Sequence, residues 1–130
     1  MNSREGNNVV VQRKIDAQVG HEAVQDWIEH EFVDRQTLAT AVRFALQQLV
    51  LHAPGCSVEV RVPPFGAVQV IDGPIHRRGT PSNVIELKAP AWMHLAVGDV
   101  TWCMAEDAGW LLASGSRADL SAYLPLMRRT

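Results

Sequence analysis

The chain has 130 residues, which is the size of a single domain, and its hydrophobic fraction of 47% and charged fraction of 20% exclude an intrinsically disordered chain. The formal net charge is −2 with basic residues scattered along the sequence, so we predict no nucleic-acid partner, since that class of binding depends on Lys and Arg contacts to phosphate. No signal-peptide pattern and no apolar run near the ~20 residues of a membrane span occur, so we expect a cytoplasmic protein without stable membrane insertion.

The chain begins with a polar, aperiodic stretch, and we predict a mobile tail over residues 1–14 followed by one domain over residues 15–130. A first helix is expected over residues 17–32, because apolar side chains recur there at helical spacing and Asp16 is suited to cap its N-terminus. A second helix, capped by Asp34, shows the i, i+3, i+4, i+7 apolar pattern most clearly.

The apolar period changes from 3.6 to 2 after Pro54-Gly55, which ends the second helix. Alternating valines predict a strand over residues 58–62, and residues 67–71 predict a second strand joined to it as an antiparallel hairpin. Residues 83–88 and 110–114 predict a third and a fourth strand.

Short helices surround the last predicted strand. Pro90 fits the first turn of a helix that stops at Gly98, and Thr101 is expected to cap another helix over residues 102–108. Ser116 is expected to begin a final helix. This order of elements predicts an α+β fold in which helices pack on an antiparallel or mixed sheet.

Three stretches of sequence also carry a resemblance to a known family. They are SVEVRVPPFGAVQ at residues 57–69, RGTPSNVIE at residues 78–86, and the spaced tryptophans and glycines of residues 92–120. Over residues 15–126 the chain resembles the bacterial orthologues of sterol carrier proteins. The resemblance implies a mostly antiparallel or mixed sheet of about five strands with helices packed on one face. It also implies a space between sheet and helices that can hold a lipid, sterol or acyl chain.

Apolar side chains of the right type for such a pocket fall in several of the predicted elements. The candidate pocket residues are Phe65, Trp92, Trp102, Met104 and Leu112. Ordinary core packing explains the same residues, and the sequence does not separate the two interpretations. In the loop after the second strand, Arg77 and Arg78 are candidates for binding the anionic end of an amphipathic ligand, although a solvated loop explains them as well.

The sequence contains no recognisable catalytic, metal or cofactor motif. No pair of its five histidines has zinc-binding spacing, no CxxC occurs, and Ser114 lacks the GxSxG context of a nucleophile. We therefore predict no catalytic residue, no metal and no cofactor.

The expected function is a non-enzymatic carrier or binding domain for an apolar or amphipathic small molecule. A protein-interaction or dimerisation module with a packed interior remains an alternative, with the first helix as its candidate docking surface and a homodimer as one form. A third alternative is an enzyme that uses His94 or the Arg77-Arg78 loop.

Overall fold

The computed structural model describes residues 13–30, 32–74 and 83–128. Residues 1–12 of the predicted tail and the candidate anion-binding residues Arg77 and Arg78 lie outside these ranges. The described elements, in chain order, are α1 (Ala17–Glu29), α2 (Arg35–His52), β1 (Val58–Val62), β2 (Gly66–Val70), β3 (Val84–Leu87), α3 (Ala89–Val97), α4 (Trp102–Asp107), β4 (Leu111–Ser114) and a short 3-10 helix (Ser121–Tyr123).

The strands form a mixed sheet with the order β2-β1-β3-β4. β1 and β2 form the predicted antiparallel hairpin, β3 lies parallel to β1, and β4 runs antiparallel to β3. The predicted α+β class is therefore confirmed, but the described residues contain four strands and not the five that the resemblance implies. The sequence predicted these same four segments as strands.

The pleat of the sheet gives it one apolar face and one polar face. Val60 is paired with Val68 on β2 and with Ile85 on β3, and all three side chains are buried under the helices. The opposite face carries polar groups, among which Arg61 and Glu59 form an ion pair with an Nε–Oε2 distance of 2.7 Å. This pattern places the hydrophobic core between the sheet and the helices.

The core is filled by large side chains from α2, α3 and the sheet. Trp92 of α3 is fully buried, and its indole Nε1–H donates to the backbone carbonyl of Val42 on α2 across 3.3 Å. Helix α1 packs on α2, where buried Gly20 lies against the ring of Phe44. The largest fully buried side chains also include Leu46, Leu49, Ile85, Leu87, Met93, Leu95 and Leu120.

The three predicted N-cap residues, Asp16, Asp34 and Thr101, are confirmed by hydrogen bonds to the first turns of their helices. The carboxylate of Asp16 accepts from the N–H groups of Gln18 and Val19, at 3.1 and 3.2 Å. Asp34 Oδ1 accepts from the N–H of Thr37 at 2.7 Å, and Thr101 caps α4 in the same way. These bonds satisfy backbone donors that have no partner inside the helix.

The end of one helix and the existence of another differ from the sequence-based expectation. α1 ends at Glu29, before residue 32, because His30 is already extended and the exposed ring of Phe32 (85%) adds nothing to the buried stripe. The helix predicted to begin at Ser116 is also wrong. The backbone N–H of Arg117 donates to Asn83 Oδ1 at 2.9 Å, which ties this segment to the start of β3 and leaves only the 3-10 helix after Leu120.

Helix α2 also holds the chain that leads into α1. Gln47 Nε2–H donates to the carbonyl of Arg13 at 2.8 Å, and the N–H of Ile15 donates to Gln47 Oε1 at 3.0 Å.

None of the helices in the described ranges combines the length and the apolar character that a membrane crossing requires.

Candidate functional site

An open groove of about 750 Å³ lies at one end of the sheet, next to the first turns of α3. It occupies the end where β1 and β3 finish and β4 begins, because β4 runs antiparallel to β3. The residues that define its walls are Pro63, Lys88, Pro90, His94, Trp110 and Leu112.

The pairing of β3 with β4 shapes the groove. Leu87 is paired with Leu111, and both side chains are buried on the core side. The neighbouring pair, Glu86 with Leu112, points to the opposite face of the sheet, where Leu112 is 72% exposed. A ligand in the groove would therefore find the side chain of Leu112 accessible, whereas Leu87 and Leu111 form the buried floor of this end of the sheet.

The turn before β4 places an indole ring at the rim of the groove. Gly109 ends the turn after α4 with a positive φ of 74°, a conformation that suits glycine. The N–H of Trp110 then donates to the carbonyl of Ala105 at 2.9 Å. Trp110 is left 41% exposed, so part of its indole ring is accessible to a ligand in the groove.

His94 connects the groove to α1 through aromatic contacts. Its ring centroid lies 4.8 Å from that of Trp27 in an edge-on arrangement and 6.0 Å from that of Trp110 in a tilted one. His94 Nδ1 lies 2.8 Å from Asp99 Oδ2, so this nitrogen is occupied by the carboxylate. The three contacts fix the orientation of the imidazole, and they leave Nε2 as the ring nitrogen available to a ligand.

The structure separates the five pocket residues that the sequence suggested. Leu112 lines the groove, whereas Trp102 is buried beside a second depression of about 590 Å³ formed with the C-terminal segment. Phe65 and Trp92 belong to the core, and Met104 is exposed on α4. Among the cavities formed by the described residues, the groove takes in one of these five side chains, Leu112.

The position of Phe65 is explained by two arginines of α2. Arg43 Nε–H donates to the carbonyl of Phe65 at 2.7 Å, and the guanidinium of Arg35 lies 5.3 Å from the centre of the Phe65 ring. The aromatic ring thus closes the hairpin end of the core and does not face the groove.

Several residues of the groove were not identified as pocket residues from the sequence. Pro63, Lys88 and Trp110 come from three separate connections between elements, and Pro90 lies in the first turn of α3. His94 was considered only as a catalytic candidate. The available signal was Gly109, because a helix-ending glycine predicts a turn at Trp110 and connecting turns lie at the surface.

Within the described ranges, no group of three or more His, Cys, Asp or Glu side chains is arranged to hold a metal ion. The groove itself offers one carboxylate, Glu86, one ammonium group, Lys88, and the imidazole of His94. Such a site can bind and orient a small molecule, and its remaining lining is mostly apolar.

Comparison with known sequences agrees with this architecture. Residues 34–126 match the family described as bacterial SCP ortholog, a span that begins at the N-cap of α2 and includes all four strands and the whole groove. A search of curated proteins finds no match. Since the matched span covers well over half of the chain, the chain belongs to the bacterial orthologues of sterol carrier proteins.

Proposed function

We propose that the chain is a binding or carrier domain for an apolar or amphipathic small molecule, which it holds in the groove between β4 and the start of α3. The observation that carries this proposal is an open groove of about 750 Å³ with mostly apolar walls. Ligand pockets in proteins typically measure roughly 300–1,000 Å³ and combine apolar walls with a few polar groups.

The energetics permit binding without a dedicated motif. Transfer of about ten methylene groups from water contributes roughly 8 kcal/mol, and association and ordering remove several kcal/mol of it. The remainder corresponds to weak, tolerant binding. Because the core between sheet and helices is filled by Trp92 and its neighbours, we place the ligand in the groove and not inside the sandwich.

Native mass spectrometry of the purified protein, followed by organic extraction, tests the proposal directly. We expect a co-purifying lipid-like species, or a mass shift with members of a panel of fatty acids and sterols. Leu112→Gln removes an apolar wall and should weaken binding, while Leu51→Gln at the end of α2 is the matched control, since Leu51 is similarly exposed (68%) but distant in the fold. A protein mass that stays unchanged with every fatty acid and sterol of the panel would contradict the proposal.

A second function is favoured by a separate observation. β4 is an edge strand of the described sheet, and the exposed apolar side chains of Trp110 and Leu112 lie at its start and on it. An edge strand with exposed apolar neighbours suits pairing with another chain. Helix α1, by contrast, buries Ala23 and Val24 against α2 and is the less suitable surface.

The oligomeric state distinguishes this alternative from the carrier function. Sedimentation velocity over a hundredfold range of concentration should show a dimer that Leu112→Lys dissociates if β4 is an interface. A monomer throughout, together with ligand binding, favours the carrier function alone. In neither function does the His94–Asp99 pair need a catalytic role, because its contacts already explain it as a group that orients the wall of the groove.

A further inference from the structure

We propose that the groove selects a ligand with a planar ring body and an anionic group, in preference to a flexible alkyl chain. This inference rests on the proposed binding function and specifies the ligand class of the same site. Two features carry it: the rigid ring surfaces of the walls, and the ammonium group of Lys88 beside them.

Four ring-bearing side chains line the groove. Trp110 presents an indole that is 41% exposed, Pro63 and Pro90 add two exposed pyrrolidine rings, and the imidazole of His94 is tilted by 44° against the indole. A Cβ added at the neighbouring Gly109 would meet nothing within 4 Å, so the space beside this turn is open.

Rigid walls of this kind suit a rigid ligand. Aromatic rings prefer offset-stacked or edge-to-face partners, and such pairs add about 0.5–1.5 kcal/mol beyond the area they bury. Flexible chains are matched better by flexible side chains such as methionine. The exposed methionine of this region, Met104, is not part of the groove lining, and Leu112 is the most exposed flexible apolar side chain in it.

The ammonium group of Lys88 is the group of the lining that favours an anion. Lys88 makes no ion pair with any residue in the described ranges. The imidazole of His94 is already paired through Nδ1 with the carboxylate of Asp99, so it adds no unpaired positive charge to the groove. A ligand carboxylate near Lys88 therefore gains from the ammonium, and the carboxylate of Glu86 on β3 opposes this gain.

Calorimetric titration with four probes tests both parts of the inference. Naphthoate combines a planar body with a negative charge, naphthalenemethanol is its neutral counterpart, naphthylmethylammonium is its cationic counterpart, and decanoate has a similar carboxylate on an alkyl chain. We expect naphthoate to bind at least about fivefold more tightly than each of the others, which corresponds to roughly 1 kcal/mol.

Charge variants then assign the polar end of the site. Lys88→Met should weaken naphthoate binding by roughly twofold to fivefold, which is the range of an exposed ion pair, and should leave the neutral probe unchanged. Glu86→Gln should strengthen naphthoate binding. The chain has one other lysine, Lys14, which precedes α1 and lies outside the groove, so Lys14→Met is the matched control and should change nothing.

The outcomes separate this inference from the function it rests on. If decanoate or a sterol binds and Leu112→Gln weakens it, but naphthoate binds no better, the carrier function stands and the ring-anion preference is overturned. Equal affinity for the neutral or cationic probe, or no effect of Lys88→Met, overturns the anion part. If no probe and no lipid binds, both proposals fall together.

Discussion

At the scale of single residues, Gly20 shows how packing overrides helix propensity. A Cβ at this position would overlap the ring of Phe44, which His21 also contacts edge-on with a centroid distance of 4.9 Å. Gly20→Ala should therefore destabilise the protein by about 1–3 kcal/mol through overpacking, although alanine gains roughly 1 kcal/mol in helix propensity. The free energy of unfolding in urea measures the balance.

The double variant Gly20→Ala/Phe44→Leu provides the control. Leucine withdraws the ring atoms that the new methyl group would meet, so the double variant should lose less stability than the sum of the two single variants. Additive losses, or a Gly20→Ala variant more stable than the parent, would contradict the close contact between α1 and α2.

Asn83 is the residue on which three chain segments converge. Its side chain is buried, its Nδ2–H donates to the carbonyl of Ser57 at 2.9 Å, and its Oδ1 accepts from the N–H of Arg117 at the same distance. Asn83→Ala leaves a buried carbonyl and a backbone N–H without these partners, which should cost about 1–3 kcal/mol for each unsatisfied group. Thermal and urea unfolding should both register the loss.

The comparison for Asn83 is Gln69→Ala on the polar face of the sheet. Gln69 is exposed on β2, so its truncation should change stability by no more than about 0.5 kcal/mol. A similar effect of both variants would mean that the bonds of Asn83 do not hold the segment after β4 against β1 and β3.

At the scale of helices and strands, the N-cap of α2 gives a pH-dependent prediction. The backbone N–H of Thr37, and then its hydroxyl, hold the pKa of Asp34 below its ordinary value of 3.8. A carboxylate with a lowered pKa stabilises the fold above its unfolded pKa, and this contribution is lost as the pH falls through its folded pKa. Asp34→Asn keeps a capping side chain but does not titrate.

We therefore expect the difference in Tm between the parent and Asp34→Asn to depend on pH. The parent should be favoured most at neutral pH, and its advantage should shrink as the pH falls below 3.8. Thermal unfolding followed by circular dichroism across this range measures the difference. A difference that stays constant with pH would show that the ionised form of Asp34 is not the better cap.

The elements that could be predicted from the sequence are those with local causes. Asp16, Asp34 and Thr101 cap helices through bonds to residues two or three positions away, and Gly98 ends α3 with φ 85°. The alternating valines of β1 likewise fix its buried face. The prediction of a final helix was wrong because the hydrogen bond from the backbone N–H of Arg117 to Asn83 joins segments that are far apart in sequence, and no local pattern indicates such a bond.

The groove was less predictable than the elements around it, for the same reason. Its aromatic wall depends on Trp27, His94 and Trp110, which come from α1, α3 and the turn before β4. Residue type suggested Trp92 and Trp102 equally well, yet the fold buries both. Which tryptophan stays exposed is decided by the order of strands and by the turn at Gly109, so it follows only from the tertiary structure.

At the scale of the whole molecule, we expect Trp92 to contribute mainly to stability and Trp110 mainly to ligand binding. Trp92 is fully buried (0%) between α2 and the sheet, and truncation of such a residue costs about 3–5 kcal/mol. Domains of this size are stable by only about 5–15 kcal/mol, so Trp92→Ala should lose much of the total, whereas Trp110→Ala at the groove rim should lose about 1 kcal/mol or less. Urea unfolding followed by far-ultraviolet circular dichroism compares the two.

Substitutions at the same two positions should have the opposite order of effects on binding. Trp110→Ala removes the exposed ring of the groove and should abolish most ligand affinity in a protein that remains folded. A conservative Trp92→Phe variant keeps the core filled and lies outside the groove lining, so it should bind ligand normally at temperatures where it is folded. If Trp92→Phe and Trp110→Ala reduced binding equally while both stayed folded, the ligand would have to lie between the sheet and the helices, and the groove would not be the binding site.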